Sequence, residues 1–258
     1  MNHFILLETA DSVATITLNR PERHNSLVPD LLRQLLHAME TVAANENIRA
    51  VVLQANGRSF STGGDVRAFY EHLDGIEEYA NLIVGLLNEV IVTMFNLPIP
   101  IVTAVHGLVT GGSLGLILAS DIVLIAPDVR IMPYYSVVGF SPDGGWTALL
   151  PEIIGRKRTA EILMTNGTID SHTTIDWGIA DRCVAVDHIR ASALETARTL
   201  AHQKPGSIRR TKDLLRLTYD KLLERLESER VQFVRQIITE EARAGMAAFL
   251  GIEEAELP

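Results

Sequence analysis

An α/β fold is predicted by three features of the chain. Strand-like runs alternate with amphipathic helical runs, glycine-rich turns open helices directly after strands, and strand patterns vanish from Ile189 onward. Phe4 to Glu8 and Val13 to Leu18 cluster β-favouring residues on either side of Asp11-Ser12, which predicts a hairpin. A helix is expected from Pro29, because Leu31, Leu32, Leu35, Leu36, Met39 and Val42 recur at three- and four-residue steps and mark one buried face. Val51 to Leu53 reads as a core strand. The pairs Leu82/Ile83, Leu86/Leu87, Val90/Ile91 and Met94/Phe95 recur every four residues, a helix that must end before Pro98 and Pro100. Strands follow at Ile101 to Val105 and Asp121 to Ala126, with a short helix opened by Gly111-Gly112 between them. Beyond Ile189 the apolar residues Leu214, Leu215, Leu217, Leu222, Leu223, Leu226, Phe233, Val234, Ile237 and Ile238 form helical faces. Pro205-Gly206 marks a break, so the chain divides into a core over 1–204 and a helical region over 205–258. That region carries more apolar surface than one exposed tail should, and is expected to cover its own core and to pack against a neighbouring subunit.

The composition narrows the function classes. A chain of 258 residues with 47% hydrophobic content can bury a substantial core. Its net charge of −9 argues against a nucleic-acid groove, and the basic triplets Arg156-Lys-Arg158 and Ile208-Arg-Arg210 are too short to reverse this. Cys183 is the sole cysteine, so no intrachain disulfide can form and a reducing compartment is the natural reading. The eight histidines show no metal-binding spacing, and no metal is expected. No basic-then-apolar leader precedes the first strand, and no apolar run reads as long and charge-free enough for a bilayer; a cytoplasmic protein without membrane partners is expected.

Chemistry is suggested by two turns. Val105 to Asp121 is a buried-looking strand that runs into Gly111-Gly112 at the start of an apolar helix, and Arg58-Ser-Phe-Ser-Thr-Gly-Gly-Asp-Val66 follows the strand-like Ala50 to Ala55. First-turn amides have no partner inside a helix, and the helix dipole adds to their pull on negative charge. Each turn alone reads as ordinary close packing of helix on sheet. Together they can form an oxyanion hole.

These two turns, their spacing and the run Gly139-Phe-Ser-Pro-Asp-Gly-Gly145 resemble the crotonase, or enoyl-CoA hydratase/isomerase, family. Further matches are Thr17-Leu-Asn-Arg-Pro-Glu-Arg-His-Asn-Ser-Leu27, Leu149-Leu-Pro151, Gly155-Arg156, Ala160 to Leu163, Trp177-Gly178 and Ala247-Ala-Phe-Leu250, so the resemblance spans nearly the whole chain. It implies a spiral of ββα units with a C-terminal helical region, a homotrimer or homohexamer, and an acyl-CoA thioester as substrate. Coenzyme A would then be the substrate carrier and no cofactor would be bound permanently. The oxyanion donors would be the amides of Gly64 and Gly112.

Hydratases of the family use two glutamates, one three residues after the oxyanion glycine and one four residues before the glycine of the next turn. Those positions here hold Gly115 and Tyr135, so ordinary water addition is disfavoured. Asp143 matches the catalytic aspartate of family isomerases and of the chlorobenzoyl-CoA dehalogenase. It can act as proton carrier, or instead cap a helix expected near Gly144 and carrying Trp146. Tyr135 matches a tyrosine of a family decarboxylase and is a second catalytic candidate, although packing or substrate lining is the favoured reading. His106 and Asp121 read as structural. The resemblance assigns coenzyme A binding to Arg20 to Leu27, with Arg23 or His24 meeting a phosphate, and to the loop carrying Ser61, Gly63, Asp65 and Val66. A basic residue common in the family after Ala-Phe is absent, since Gly251-Ile-Glu253 follows. An isomerase is expected; aryl-CoA dehalogenation, decarboxylation, thioester hydrolysis or a non-catalytic CoA-binding subunit are the alternatives.

Overall fold

The computed structural model describes residues 3–215 and 219–252; Leu217 and Glu253, both used above, lie outside them. β1 (Ile5–Ala10) and β2 (Val13–Leu18) form the antiparallel hairpin, and β3 (Ala50–Ala55), β4 (Ile101–Val105), β6 (Ile122–Ile125) and β9 (Arg182–Cys183) extend it in parallel, in the order β1-β2-β3-β4-β6-β9. A second sheet pairs β5 (Leu108–Thr110) with β7 (Arg130–Met132) in parallel and β7 with β8 (Ile169–Asp170) antiparallel.

The strands β3 and β4 are apolar throughout because both faces of their sheet are covered. Alternation decides which side each residue serves. Val51, Leu53 and Val105 pack with α1 (Pro29–Ala44) and α3 (Ile76–Asn96), whereas Ala50, Val52, Val102 and Ala104 meet Ile189, Ala193, Ala197 and Ala201 of α9 (Ile189–Ala201). Between the strands stand α2 (Val66–Glu71), α4 (Leu114–Leu118), α5 (Tyr135–Val138), α6 (Leu150–Ile154), α7 (Arg156–Thr165) and α8 (Ser171–Asp176).

Two expectations need correction. The segment Leu73–Asn96 is long and apolar enough to cross a membrane by composition, contrary to the reading that no run qualifies; here it holds α3, whose Ile83, Val84, Leu87, Val90, Ile91 and Met94 are buried between α1 and α11 (Tyr219–Ile237). Nor does a helix begin near Gly144: residues 144–149 are turns, and α6 starts at Leu150.

The C-terminal region consists of α10 (Pro205–Leu215), α11 and α12 (Glu240–Leu250). Lys212 ties α10 to the main sheet, with Nζ donating to the Ile99 carbonyl at 3.0 Å and to Asp121 at 2.5 Å. Leu222, Leu226, Phe233 and Ile237 of α11 join the main core, and α12 packs on α2 and α5, so the region continues that core across the 204/205 break. Leu214 and Leu215 remain largely exposed.

Candidate active site

The two glycine turns are brought together by strand pairing. Ser61 bridges Val109 in parallel, with Ser61 N–H donating to Leu108 O and Thr110 N–H to Ser61 O, so the residues that follow each run side by side. Gly63 (φ +68°) packs so closely that a Cβ would stand 2.5 Å from the Thr110 carbonyl oxygen. Leu27 bridges Gly64 through the Gly63 carbonyl and the Asp65 amide. The Gly64 N–H takes no part, and among the described residues it donates to no protein group. Gly112 is the second residue of a 3₁₀ turn, Gly111–Ser113, entered from extended Thr110, where the amide has no acceptor within the turn. Both glycines line one cavity of about 430 Å³.

Asp143 meets that cavity beside Gly112. A Cβ on Gly112 would stand 2.9 Å from each Asp143 carboxylate oxygen and 2.7 Å from Leu87 Cδ2, so only glycine admits the carboxylate here. The Tyr135 hydroxyl donates its one proton to Asp143 Oδ1 at 2.6 Å, with the Asp143 carbonyl oxygen a second, longer acceptor at 3.0 Å. Burial pushes the Asp143 carboxyl up to about 7; the Tyr135 hydrogen bond opposes this and the charge of Glu229 adds to it. Burial next to Asp143 drives the Tyr135 hydroxyl well above its ordinary range, so it stays protonated and donating. Asp143 is therefore no helix cap, and its partner is Tyr135. Trp146, fully buried in the turn, donates from its indole to Gly111 O at 2.8 Å and meets the Tyr135 ring edge-on.

The other expected residues divide. Arg23, His24, Asp65 and Val66 line the cavity, but Ser61 and Gly63 do not. The Ser61 hydroxyl is buried and donates to Asn25 O at 2.7 Å, so both residues hold the turn in place of facing ligand. Asp65 is committed to protein partners: it pairs with Arg20 at 3.0 Å and Arg23 at 3.2 Å and caps α2 through the Ala68 N–H. Burial raises its carboxyl, but the two arginines outweigh this and hold it below the ordinary value. Arg23 stays exposed at the rim. His24 contacts Ser59 Oγ at 3.0 Å. His106 bonds to the Gly57 carbonyl, and Asp121 accepts from the Ile101 N–H, in the structural roles expected.

A match to the enoyl-CoA hydratase/isomerase family model spans residues 8–256. The chain belongs to this family. The 1,2-epoxyphenylacetyl-CoA isomerase of Escherichia coli (strain K12) is 31% identical over 206 residues, covering 79% of this chain and 78% of that protein. A 4-chlorobenzoyl coenzyme A dehalogenase of Arthrobacter sp is 29% identical, covering 78% and 73%. The crystal structure of an enoyl-CoA hydratase from Bacillus halodurans superposes with a TM-score of 0.89 over 95% of this chain and 99% of that one, at 22% identity, which establishes the crotonase fold.

Within this enoyl-CoA hydratase/isomerase fold, the position of the first hydratase glutamate is closed as well as vacant of a side chain. A Cβ on Gly115 would stand 2.4 Å from Ile91 Cδ1 and 2.5 Å from the Gly144 carbonyl oxygen. Sequence reasoning missed the cavity's aromatic wall. Phe69, Phe140 and Phe233 pack with ring centroids 5.3–5.8 Å apart and line it together. They come from α2, the loop after α5, and α11, and no local pattern joins them. It also missed Glu229, a carboxylate inside the apolar stripe Leu222, Leu226, Phe233 and Ile237; that interruption was a visible signal.

Proposed function

We propose that the chain is an enoyl-CoA isomerase that moves a double bond through a thioester enolate. The observation that carries this reading is the Asp143 carboxylate held beside the Gly112 turn by Tyr135, in the cavity that Gly64 also lines. Asp143 removes a proton from the carbon next to the thioester and returns it farther along the acyl chain. Negative charge gathers on the thioester oxygen while the proton is on Asp143, is held there by the Gly64 and Gly112 amides, and is discharged when the proton returns. Glu22 and Asp65 are the other carboxylates lining the cavity among the described residues, the first exposed and the second bound by two arginines. Neither offers a free base beside Gly112. A carboxyl poised near 7 suits a group that must accept a proton and give it back at neutral pH.

Water addition has little support, because backbone fills the space at Gly115. The aromatic wall favours a second reading on the same carboxylate, attack of Asp143 on an activated aryl-CoA ring, in line with the 29% likeness to a dehalogenase. One experiment separates the two. The protein is incubated in D2O with an enoyl-CoA and, separately, with a 4-halobenzoyl-CoA. Deuterium uptake with double-bond migration supports the isomerase; halide release without exchange replaces it with aryl substitution. Absence of both overturns the Asp143 mechanism.

A further inference from the structure

The apolar stripe of α11 is broken by one carboxylate, Glu229, which is buried at 4% exposure between Leu226 and Phe233. It lies more than 80 residues from the Asp143 turn, yet all its hydrogen-bond partners come from that turn. Oε2 accepts from the Gly145 N–H at 2.8 Å, and Oε1 accepts from the Thr147 N–H at 2.6 Å, the Thr147 hydroxyl at 2.7 Å and the Ala148 N–H at 2.9 Å. Both oxygens accept, the pattern of an ionised carboxylate; burial pushes its carboxyl up and the four donors hold it back.

The gripped turn has little freedom. Gly144 (φ +63°) presses on the oxyanion turn so closely that a Cβ would stand 2.4 Å from Gly112 Cα and from Gly112 O. Asp143 immediately precedes it. We propose that Glu229 is a positioning residue for the reaction, its buried carboxylate clamping the 145–148 turn from α11 so that the Asp143 carboxylate stays beside the Gly112 amide. The inference rests on Asp143 being the proton carrier. It goes further in giving the C-terminal helix a part in the chemistry, because a charge placed in a core stripe weakens packing unless its bonds serve something else.

The charged neighbours are few. Tyr135 from α5 and Glu229 from α11 act on Asp143. On α11, Arg225 donates to Ala148 O at 3.2 Å and pairs with Glu152 of α6, while Arg230 pairs with Glu227 and with Asn81 of α3. Two substitutions separate charge from geometry. Glu229→Gln removes the charge and turns an amide donor toward one of the turn's donors. Glu229→Asp keeps the charge but withdraws it by one methylene, too short to grip Gly145 and Ala148 together. The ionisation of Asp143 is followed in the full chain by carboxyl ¹³C NMR, assigned with Asp143→Asn, a readout that needs no substrate. In Glu229→Gln the Asp143 midpoint is expected to fall by about 1, because a like charge has gone. In Glu229→Asp the charge is kept, so the midpoint reports placement alone, and it should fall toward the ordinary 3.8 as the loosened turn lets water reach the carboxylate. Turnover should fall about tenfold in both, with KM little changed, as expected for misplacement of a reacting group. An unchanged Asp143 midpoint in Glu229→Asp, or parental turnover in either variant, overturns the proposal. A merely structural Glu229 would lower thermal stability, shift the midpoint in Glu229→Gln through its charge alone, and leave it unmoved in Glu229→Asp. If the chain acts on other thioesters than proposed, the NMR titration still decides.

Discussion

A carboxylate withdrawn from water is governed by the few groups that replace its hydration, so each can be removed and its effect read. Asp143 has hydrogen bonds from Tyr135 and from its own backbone, and it feels the charge of Glu229. As a base it must be ionised, so kcat/KM should rise with pH through about 7 and level off above it. A profile flat between pH 5 and 8 would refute this. Tyr135 lowers the Asp143 value by donating to it; Tyr135→Phe should therefore move the rising limb to higher pH, as a pH-rate series will show. Asp143→Asn keeps shape and hydrogen-bond acceptance but cannot take a proton, and turnover should drop by about 100-fold or more. At Gly64 the donor is backbone. Gly64→Pro deletes an N–H that bonds to nothing in the described protein, and its added Cβ would stand 2.9 Å from the Phe69 ring edge, so the turn should distort locally while the rest of the fold survives and turnover falls by about 100- to 1000-fold. Circular dichroism beside the assay checks both halves.

At the scale of elements, the site is an agreement between three turns. The 61–64 turn follows β3, the 110–112 turn follows β5, and the 143–148 turn is carried between α5 and α6. Parallel pairing of Ser61 with Val109 sets the first two side by side, and the glycines at 63, 112 and 144 let all three approach to backbone contact. The arrangement has no spare volume at Gly115. Restoring a hydratase-like acid with Gly115→Glu should thus push Ile91 and the Gly144 carbonyl apart, destabilise the fold by about 1–3 kcal/mol and add no hydratase activity. Differential scanning calorimetry and an enoyl-CoA hydration assay measure the two outcomes. A stable variant that hydrates would show that the turn yields more easily than its contacts imply.

Across the whole molecule, the same buried carboxyl links chemistry to stability. Its folded value of about 7 exceeds the ordinary 3.8, so folding takes up a proton between those limits. The stabilisation is complete below 3.8 and is lost as pH rises through about 7. Asp143→Asn should therefore melt above the parent at pH 8, with the difference shrinking as pH falls toward 5. A difference independent of pH would remove the linkage. Asp65 works in the opposite sense: its lowered value contributes stability at neutral pH that is lost as acid protonates it. The exposed Met164, Leu214 and Leu215 leave apolar surface that the single chain does not cover, and the trimer or hexamer that the family resemblance implies is a prediction for it. Light scattering at micromolar concentration tests this, and a monodisperse monomer would contradict it.

Five strands of the main sheet, β1 to β4 and β6, and the helices α1 and α3 were legible in the amino-acid order, whereas the short β5, β7, β8 and β9 were not. The legible elements are written locally, as a period of two or of three to four, while Gly64, Gly112, Tyr135 and Asp143 were singled out through the resemblance to the family. The sequence by itself could not decide whether Asp143 caps a helix or faces the cavity, because both uses share the local text Pro-Asp-Gly-Gly. Burial beside Gly112 and the Tyr135 hydrogen bond decided it, through contacts that only the folded chain creates. Ser61 shows the reverse case: it stands in the expected loop, but strand pairing turned its hydroxyl inward to Asn25. The aromatic wall was set by tertiary structure alone, and so was the turn that Glu229 grips, although the break it makes in the α11 stripe was visible. Phe69, Phe140 and Phe233, and likewise Glu229 and Gly145, lie far apart along the chain, and residue spacing carries no information about which distant helix face will meet which turn.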